Sequence, residues 1–189
     1  LKNQRFDLAI AANFLSEINF EERVAISQLL LEKSKFFILV EPALRQTTRD
    51  AMELRDRLVA EESAQVLSPC PHQSNCPMLA GGPRDWCHFY FDWKCPLLIR
   101  QVDYFIGNKH DYLKMSYMIF ASKFQAPQSK LPEKNQWRVV SSPLISAGKK
   151  EFILCGIGTG ARPSSGSRIA SAPLAGRLQK VTRLNKDRT

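Results

Sequence analysis

The chain has 189 residues, of which 44% are hydrophobic and 10% aromatic, and it carries a formal net charge of +9. This length is sufficient for one domain with a sizeable core, and the composition is that of a globular protein. No run approaches eighteen consecutive apolar residues, so we expect no transmembrane helix. The charge is uneven, because residues 141–189 hold nine Lys or Arg against two Asp or Glu. A basic end of this kind favours a polyanion such as RNA, although it is also compatible with a solvated tail.

The first third of the chain alternates between apolar runs and amphipathic segments. Proline after Glu41 ends one of the runs, because proline cannot continue a central ladder. The predicted elements are a strand at Phe6–Ala12, a helix at Glu21–Lys33, a strand at Lys35–Val40, a helix at Thr47–Glu62 capped by Thr47 or Thr48, and a strand at Ala64–Leu67. This alternation predicts a parallel, doubly wound sheet with helices on its faces.

The second half of the chain is less regular. It is predicted to contain a helix at Leu97–Gly107 that stops at Asn108, a long strand at Lys114–Lys123, an exposed loop at Gln125–Gln136, and strands at Trp137–Val140 and Glu151–Cys155 with a turn at Ala147–Gly148. Residues 161–176 are rich in Ser, Pro, Gly and Ala and are expected to lack fixed structure by themselves.

Four of the five cysteines lie in one stretch, Ser68–Cys95, among the loop-forming residues Pro, Gly, Asn and Ser. They are Cys70, Cys76, Cys87 and Cys95, whereas Cys155 follows a later apolar segment. An odd number of cysteines would leave one thiol unpaired in a disulfide framework. The C-x2-C pairs typical of zinc sites are absent, and the wide spacing is compatible with an iron–sulfur cluster. The spacing alone leaves a metal or cluster, disulfides and simple burial all open.

Three motifs in this stretch carry a resemblance to a known family. They are Pro69-Cys70-Pro71-His72, Cys76-Pro77 and Asp85-Trp86-Cys87-His88-Phe89. They resemble the signature of the methyltransferase-like proteins associated with the mitochondrial small ribosomal subunit, a family that also has bacterial members. The resemblance implies an α/β fold, namely part of a class I methyltransferase (Rossmann-like) parallel sheet with helices on both faces, a Cys-rich cluster loop and a small β appendage.

The resemblance also implies a ligand set for a 4Fe–4S cluster. Cys70, Cys76 and Cys87 match the family's ligands one for one, and Cys155 is the implied fourth ligand on a later strand. Cys95 competes for the fourth place because it is nearer in sequence, with a buried thiol as its alternative role. His72 and His88 flank ligands and either donate hydrogen bonds to cluster sulfurs or pack within the loop.

A methyl-donor site is implied at the carboxyl ends of the first two strands. Ligands of doubly wound sheets bind beyond these ends, which places Asn13 and Glu41 on the donor side. The alternative for Asn13 is a helix cap. The glycine-rich turn expected earlier in such a fold does not precede Phe6, so we expect the sequence to be a fragment that lacks an N-terminal portion and retains half of the donor site.

We therefore expect three regions. Residues 1–125 form the C-terminal part of a methyltransferase-like domain with the Cys-rich insert 68–95, residues 126–160 form a β appendage, and residues 161–189 form a basic, flexible tail. No motif marks a catalytic base or nucleophile.

The expected function is that of a small-subunit assembly or translation factor that binds rRNA, ribosomal proteins and a 4Fe–4S cluster. The alternatives are an active rRNA methyltransferase that uses S-adenosylmethionine and an iron–sulfur redox protein. Neither a membrane nor DNA is expected as a partner, and the expected compartment is a bacterial cytoplasm or the mitochondrial matrix.

Overall fold

The structure, a computed structural model, describes residues 4–109, 111–124, 137–146, 149–156 and 177–184. Nine strands and four helices lie in these ranges, besides a short 3-10 turn at Leu15–Glu17. The strands are β1 (Phe6–Ala12), β2 (Ser34–Pro42), β3 (Ala64–Ser68), β4 (Phe89–Asp92), β5 (Tyr112–Ser122), β6 (Trp137–Val139), β7 (Leu144–Ser146), β8 (Lys149–Gly156) and β9 (Arg177–Leu184). The helices are α1 (Phe20–Lys33), α2 (Arg45–Ala60), α3 (Pro77–Gly81) and α4 (Leu97–Ile106).

The first sheet has the order β1-β2-β5-β3. Strands β1 and β2 are adjacent and parallel, with Ala12 opposite Val40, as the sequence predicts. Strand β5, however, runs antiparallel to both β2 and β3, so the sheet is mixed and the expectation of a parallel sheet is wrong. Alternation of apolar residues indicates a strand but carries no information about its direction, which is set by the path of the preceding chain.

Both long helices lie on the same face of this sheet. Arg23 of α1 and Asp50 of α2 form a buried ion pair at 2.8 Å, and the two helices pack against each other. Strands β1, β2 and β3 run in the same direction and follow one another across the sheet. Because crossovers between such strands are right-handed, both connecting helices are placed on one face. In the described ranges, the long helices therefore do not cover both faces as expected.

The start of α2 differs from the sequence prediction. The helix begins at Arg45, and its N-cap position is occupied by Leu44, whose side chain makes no cap hydrogen bond. Thr47 and Thr48 are buried within the helix and do not cap it. Helix α1, in contrast, begins with a capping box. The Asn19 side chain accepts from the backbone N–H of Glu22 at 3.0 Å, and the Glu22 side chain accepts from the backbone N–H of Asn19 at 3.1 Å.

The hydrophobic core lies between the two long helices and the first sheet. Phe37 of β2 and Phe120 of β5 are fully buried and stack with their ring centroids 5.7 Å apart. Helix side chains complete this layer, which we call the helix-side core; the fully buried ones are Leu31, Leu54 and Leu58. Complete burial of a side chain of this size contributes about 1.5 to 3 kcal/mol relative to exposure.

The Cys-rich stretch leaves and rejoins one side of β5. Strand β3 pairs with the second half of β5, where Ser68 lies opposite Ile119. Strand β4 pairs with the first half on the same side, where Phe89 lies opposite Met115. Residues 69–88, which we call the cysteine loop, therefore connect two segments of what would otherwise be one continuous strand.

A second sheet is built around β8. Strands β6 and β7 pair with its two halves on one side, and β9 pairs with its whole length on the other side. Strand β9 lies within residues 161–189, the segment expected to be a flexible tail. The predicted loop 125–136, the turn at Ala147–Gly148 and the segment 161–176 lie outside the described residues.

Helix α4 has an unusual distribution of side chains. It exposes large apolar side chains, including Leu98, Tyr104 and Phe105, while Asp103 is its buried residue. It ends at Gly107, whose φ of 68° is in the left-handed region that favours glycine. In the part of the chain that the structure describes, no helix is long and apolar enough to cross a membrane.

Candidate metal centre

Four of the five cysteines line one cavity between the cysteine loop, α2 and the two sheets. They are Cys70, Cys76, Cys87 and Cys155, the set implied by the resemblance. Met52, Arg55 and His72 also line this cavity, which is partly open to solvent. Cys95 is buried elsewhere, next to Arg100, which donates from Nε to the Cys95 carbonyl at 3.0 Å. The fold therefore separates Cys95 from the other four cysteines.

Helix α2 fixes the loop that carries the first two cysteines. Arg55, which is 1% exposed, donates to the carbonyl oxygens of His72 and Ser74 at 2.5 Å each. The neighbouring Asp56 carboxylate accepts from the backbone N–H of Cys76, at 2.9 and 3.1 Å for its two oxygens. Because these bonds join the loop to a regular helix, Cys70 and Cys76 are held by a rigid element and not by the loop alone.

His72 lies in the cavity wall beside a cysteine. Its Nε2 is 3.5 Å from the Sγ of Cys155, and its Nδ1 is 2.9 Å from the hydroxyl of Ser74. Burial, reinforced by the charge of Arg55, lowers the pKa of His72, so the ring is neutral at neutral pH. A neutral imidazole with one N–H can donate to the sulfur, which is one of the two roles expected from the sequence.

His88 has a different role. Its ring Nε2 accepts from the backbone N–H of Ser142 at 3.0 Å, and the backbone N–H of His88 donates to the Val140 carbonyl at 3.2 Å. The ring also stacks on Trp86, with centroids 5.3 Å apart. These contacts fasten the end of the cysteine loop to the second sheet, and His88 does not line the cavity.

Burial raises the pKa of three of the cavity thiols, those of Cys76, Cys87 and Cys155. Burial raises the pKa of Cys76 to about 12, and burial together with the neighbouring thiols raises that of Cys155 to about 12. Burial also raises the pKa of Cys87, and the charge of Arg138 opposes this rise. Cys76, Cys87 and Cys155 are therefore protonated at neutral pH, and their ligation as thiolates would release protons.

Arg138 of β6 forms another wall of the cavity. Its Nη2 donates to the Sγ of Cys87 at 3.5 Å, and its guanidinium carbon lies 4.0 Å from the ring centroid of Phe89. Arg138 also lies directly opposite Cys155 in the β6–β8 ladder. Directly opposite residues of an antiparallel pair project to the same face, so a cation and a thiol are presented side by side.

The described side chains do not form a site for a single metal ion. In the ranges that the structure describes, no three Cys, His, Asp or Glu side chains are close enough to hold one metal ion. A tetrahedral zinc site draws its sulfurs to about 2.3 Å from one atom. A group with several irons, each ligated by one cysteine, is the alternative that the resemblance implies, and four cysteines are the number that it requires.

The predicted donor-side residues lie together at the ends of β1 and β2. Asn13 has a positive φ of 55° and donates its backbone N–H to the Val40 carbonyl at 3.0 Å. Glu41 is 2% exposed, and its Oε1 accepts from the backbone N–H groups of Phe14 and Leu15 at 3.0 and 3.2 Å. Its Oε2 is buried without a hydrogen-bond partner among the described residues. Glu41 thus holds the loop after β1, and a role in donor binding stays a prediction.

The sequence did not single out Arg55 or Arg138 as site residues. Neither arginine belongs to a motif, and each lies far in sequence from the cysteines that it serves. The contact of Arg138 depends on the register between β6 and β8, which periodicity does not specify. Arg55 could have been noticed as a charge on an otherwise apolar side of α2, because such a buried charge requires partners.

The fold and the site define an α/β protein with a mixed sheet and a cavity lined by four cysteines. A family model described as mitochondrial small ribosomal subunit Rsm22 matches residues 1–163. The chain belongs to this family, and it therefore has a function related to the small ribosomal subunit. The comparison with curated proteins found no match. The expected family is confirmed at this level, whereas the methyltransferase fold and the cluster stay predictions.

Proposed function

We propose that this chain acts as a mitochondrial small-subunit assembly or translation factor, with a 4Fe–4S cluster ligated by Cys70, Cys76, Cys87 and Cys155. The observation that carries the proposal is the gathering of these four cysteines around one cavity, with Cys95 excluded from it. When bound, the cluster would supply a covalent link between the cysteine loop and the second sheet. The mitochondrial matrix is the compartment that the family favours.

The chain's own residues prepare the cavity for this group. Arg55 and Asp56 hold the loop backbone, and His72 and Arg138 lie within hydrogen-bond distance of two of the sulfurs. Two arginines in the wall offset the negative charge that four thiolates introduce. Because the ligands come from the loop and from β8, binding of the cluster should couple to the docking of the second sheet.

Anaerobic reconstitution with iron and sulfide tests the ligand set. We expect the protein to gain visible absorbance and to bind four irons, as the proposed cluster requires, and each of C70S, C76S, C87S and C155S to lower the bound iron severalfold. The matched control is C95S, which removes a buried thiol outside the cavity and should retain its iron. Retention of the full iron content by C155S together with its loss by C95S would refute the assignment.

Binding of rRNA is the second part of the proposal. It is supported by the family and by the excess of basic residues after residue 141. Phosphate contacts release counterions, so affinity should fall linearly on a logarithmic salt scale. Deletion of residues 161–189 would be a poor test, because it removes β9, whose Leu178 pairs with Cys155.

Variants in which neutral side chains replace basic ones avoid the loss of β9. The triple variant R177Q/K180Q/R183Q keeps the length of β9 and removes three positive charges. If all three residues contact phosphates of single-stranded RNA, we expect the slope of log affinity against log salt to flatten by about 2, at about 0.7 for each contact. The control is the iron content, which should not change. An unchanged affinity and slope would show that these charges do not contact RNA.

Methyl transfer is the alternative function, and the adjacent carboxyl ends of β1 and β2 favour it. Asn13 and Glu41 lie there, although one Glu41 oxygen already holds the loop. Calorimetric titration of the protein with S-adenosylmethionine tests this alternative. Saturable binding that E41Q weakens would support a donor site, and the absence of binding would leave only the role in assembly or translation.

A further inference from the structure

Arg138 is a half-buried cation, and no carboxylate pairs with it in the ranges that the structure describes. Its Nε is buried and has no hydrogen-bond partner in those ranges. Removing a guanidinium from water without an anion is costly, so the position of this side chain calls for a negative group.

The nearest candidate for that negative group is the sulfur of Cys87. Arg138 Nη2 already donates a hydrogen bond to this sulfur over 3.5 Å. The guanidinium is held in place by the ring of Phe89, at 4.0 Å, which restricts its orientation. A cysteine that ligates iron does so as a thiolate, and a charge-assisted N–H···S bond is stronger than a neutral one. The geometry is therefore prepared for the ligated form of Cys87.

The cross-strand position of Arg138 places its charge near a second ligand as well. Arg138 and Cys155 are directly opposite in the β6–β8 ladder, and both line the cavity. The guanidinium therefore contacts one of the four proposed ligands, and its charge acts on a second. A positive charge and a hydrogen bond at the sulfurs favour the reduced cluster, which carries one more negative charge than the oxidised cluster.

We propose that Arg138 is a positioning residue that raises the reduction potential of the cluster and slows the loss of iron through its bond to Cys87. This inference rests on the proposed cluster and goes beyond it, because it assigns a redox-tuning role to a residue that is not a ligand. In the reduction, one electron passes from an added chemical reductant to the cluster, and no cluster bond is broken.

The test compares R138M with wild type after anaerobic reconstitution. Potentiometric titration with dithionite should show a reduction potential more negative in R138M, with the equilibrium of one-electron reduction changed by about tenfold, which corresponds to 59 mV. Release of iron to a chelator should also be faster. R138K, which keeps the charge but lacks the planar fork, should fall between wild type and R138M.

The matched control is R100M. Arg100 is exposed and donates to the carbonyl of Cys95, the cysteine outside the cavity, so its loss should change neither the potential nor the release of iron. If R138M takes up no iron, R138Q decides the matter by the same titration. An R138M or R138Q protein with the wild-type potential would overturn the inference while leaving the cluster intact. A wild-type chain that takes up no iron would instead overturn the proposed function.

Discussion

The helix-side core and the cysteine cavity adjoin each other at α2, yet they are built on different principles. Leu54 and Leu58 of α2 are fully buried against Phe37 and Phe120 in the core. Arg55, between these two leucines, is buried toward the cavity and donates to loop carbonyls. The core is stabilised by the packing of apolar side chains alone. The cavity instead brings together arginines and thiols, which need a bound group as a partner. Stability of the core should therefore be independent of iron, and that of the cavity should not be.

The largest effect is expected from F120A. Phe120 is fully buried and stacks on Phe37, so its truncation should lower the free energy of unfolding by about 3 to 5 kcal/mol. Urea denaturation should give the same loss before and after reconstitution with iron and sulfide. F124A is the control, because this side chain is 64% exposed and its loss should cost less than about 0.5 kcal/mol. If reconstitution restored the free energy of unfolding that F120A loses, the core would not be independent of iron.

R55M should have the next largest effect, and its effect should reach the cavity. It leaves the carbonyls of His72 and Ser74 without their donor, at a cost of about 3 kcal/mol for two buried acceptors. The loop should loosen, so iron uptake should also fall severalfold. R57M is the matched control from the same helix, because Arg57 forms only an exposed pair with Glu61. Equal iron uptake by R55M and R57M would show that Arg55 serves stability alone.

E41Q should lower the free energy of unfolding by about 1 kcal/mol. The amide retains an acceptor for the N–H groups of Phe14 and Leu15 but loses the strengthening that a charge provides. Thermal unfolding of E41Q measures this, with E53Q on the exposed side of α2 as the control. A more stable E41Q would mean that the unpartnered buried oxygen of Glu41 outweighs its two hydrogen bonds.

N19A should cost about 1 kcal/mol, the usual cost of losing an N-cap. The Asn19 side chain accepts from the Glu22 amide at the start of α1, far from any cysteine, so iron content should not change. N19S restores a capping oxygen and should restore most of the stability. If N19S is as unstable as N19A, the loss does not come from the cap.

D7N should have the smallest effect. Lys35 lies 2.7 Å from the Asp7 carboxylate, and its hydrogen bond and charge lower the pKa of Asp7. The pair therefore stabilises the protein above the unfolded pKa of Asp, about 3.9, and this contribution is lost as pH falls through the lower folded pKa. The small difference between wild type and D7N should shrink in acid and in high salt. A difference that grows in acid would contradict this sign.

Much of the first sheet was predictable because its strands and connecting helices follow from local sequence patterns. The bounds of β1 match the prediction, and α1 and β2 differ by one or two residues at their ends. The predictions that failed concern features that depend on contacts between residues distant in sequence. Thr47 and Thr48 carry the chemistry of caps, but the chain after Pro42 enters the helix two residues earlier and buries them. The direction of β5 depends on how the chain returns from α4, which no local pattern encodes.

For the site too, local sequence signals were predictable and features that depend on distant contacts were not. The cysteines were found because their motifs are rare, and the fold brings the predicted four to one cavity. Strand β4 and helix α3 were missed because each is short and lies inside a loop-like sequence. Arg138 was missed because its relation to Cys155 exists only as a pairing between two strands.

The cysteine loop also has a consequence for how such a protein can change over evolutionary time. It departs from β5 opposite Ile119 and returns opposite Met115, so its two ends are separated by four steps of β5, about 13 Å. Both ends are fixed by ladders that do not involve the loop itself. Insertions, deletions and exchanges of ligands in residues 69–88 therefore leave the register of the sheet unchanged. If the proposed cluster is bound here, its ligands could therefore change without a change in the first sheet.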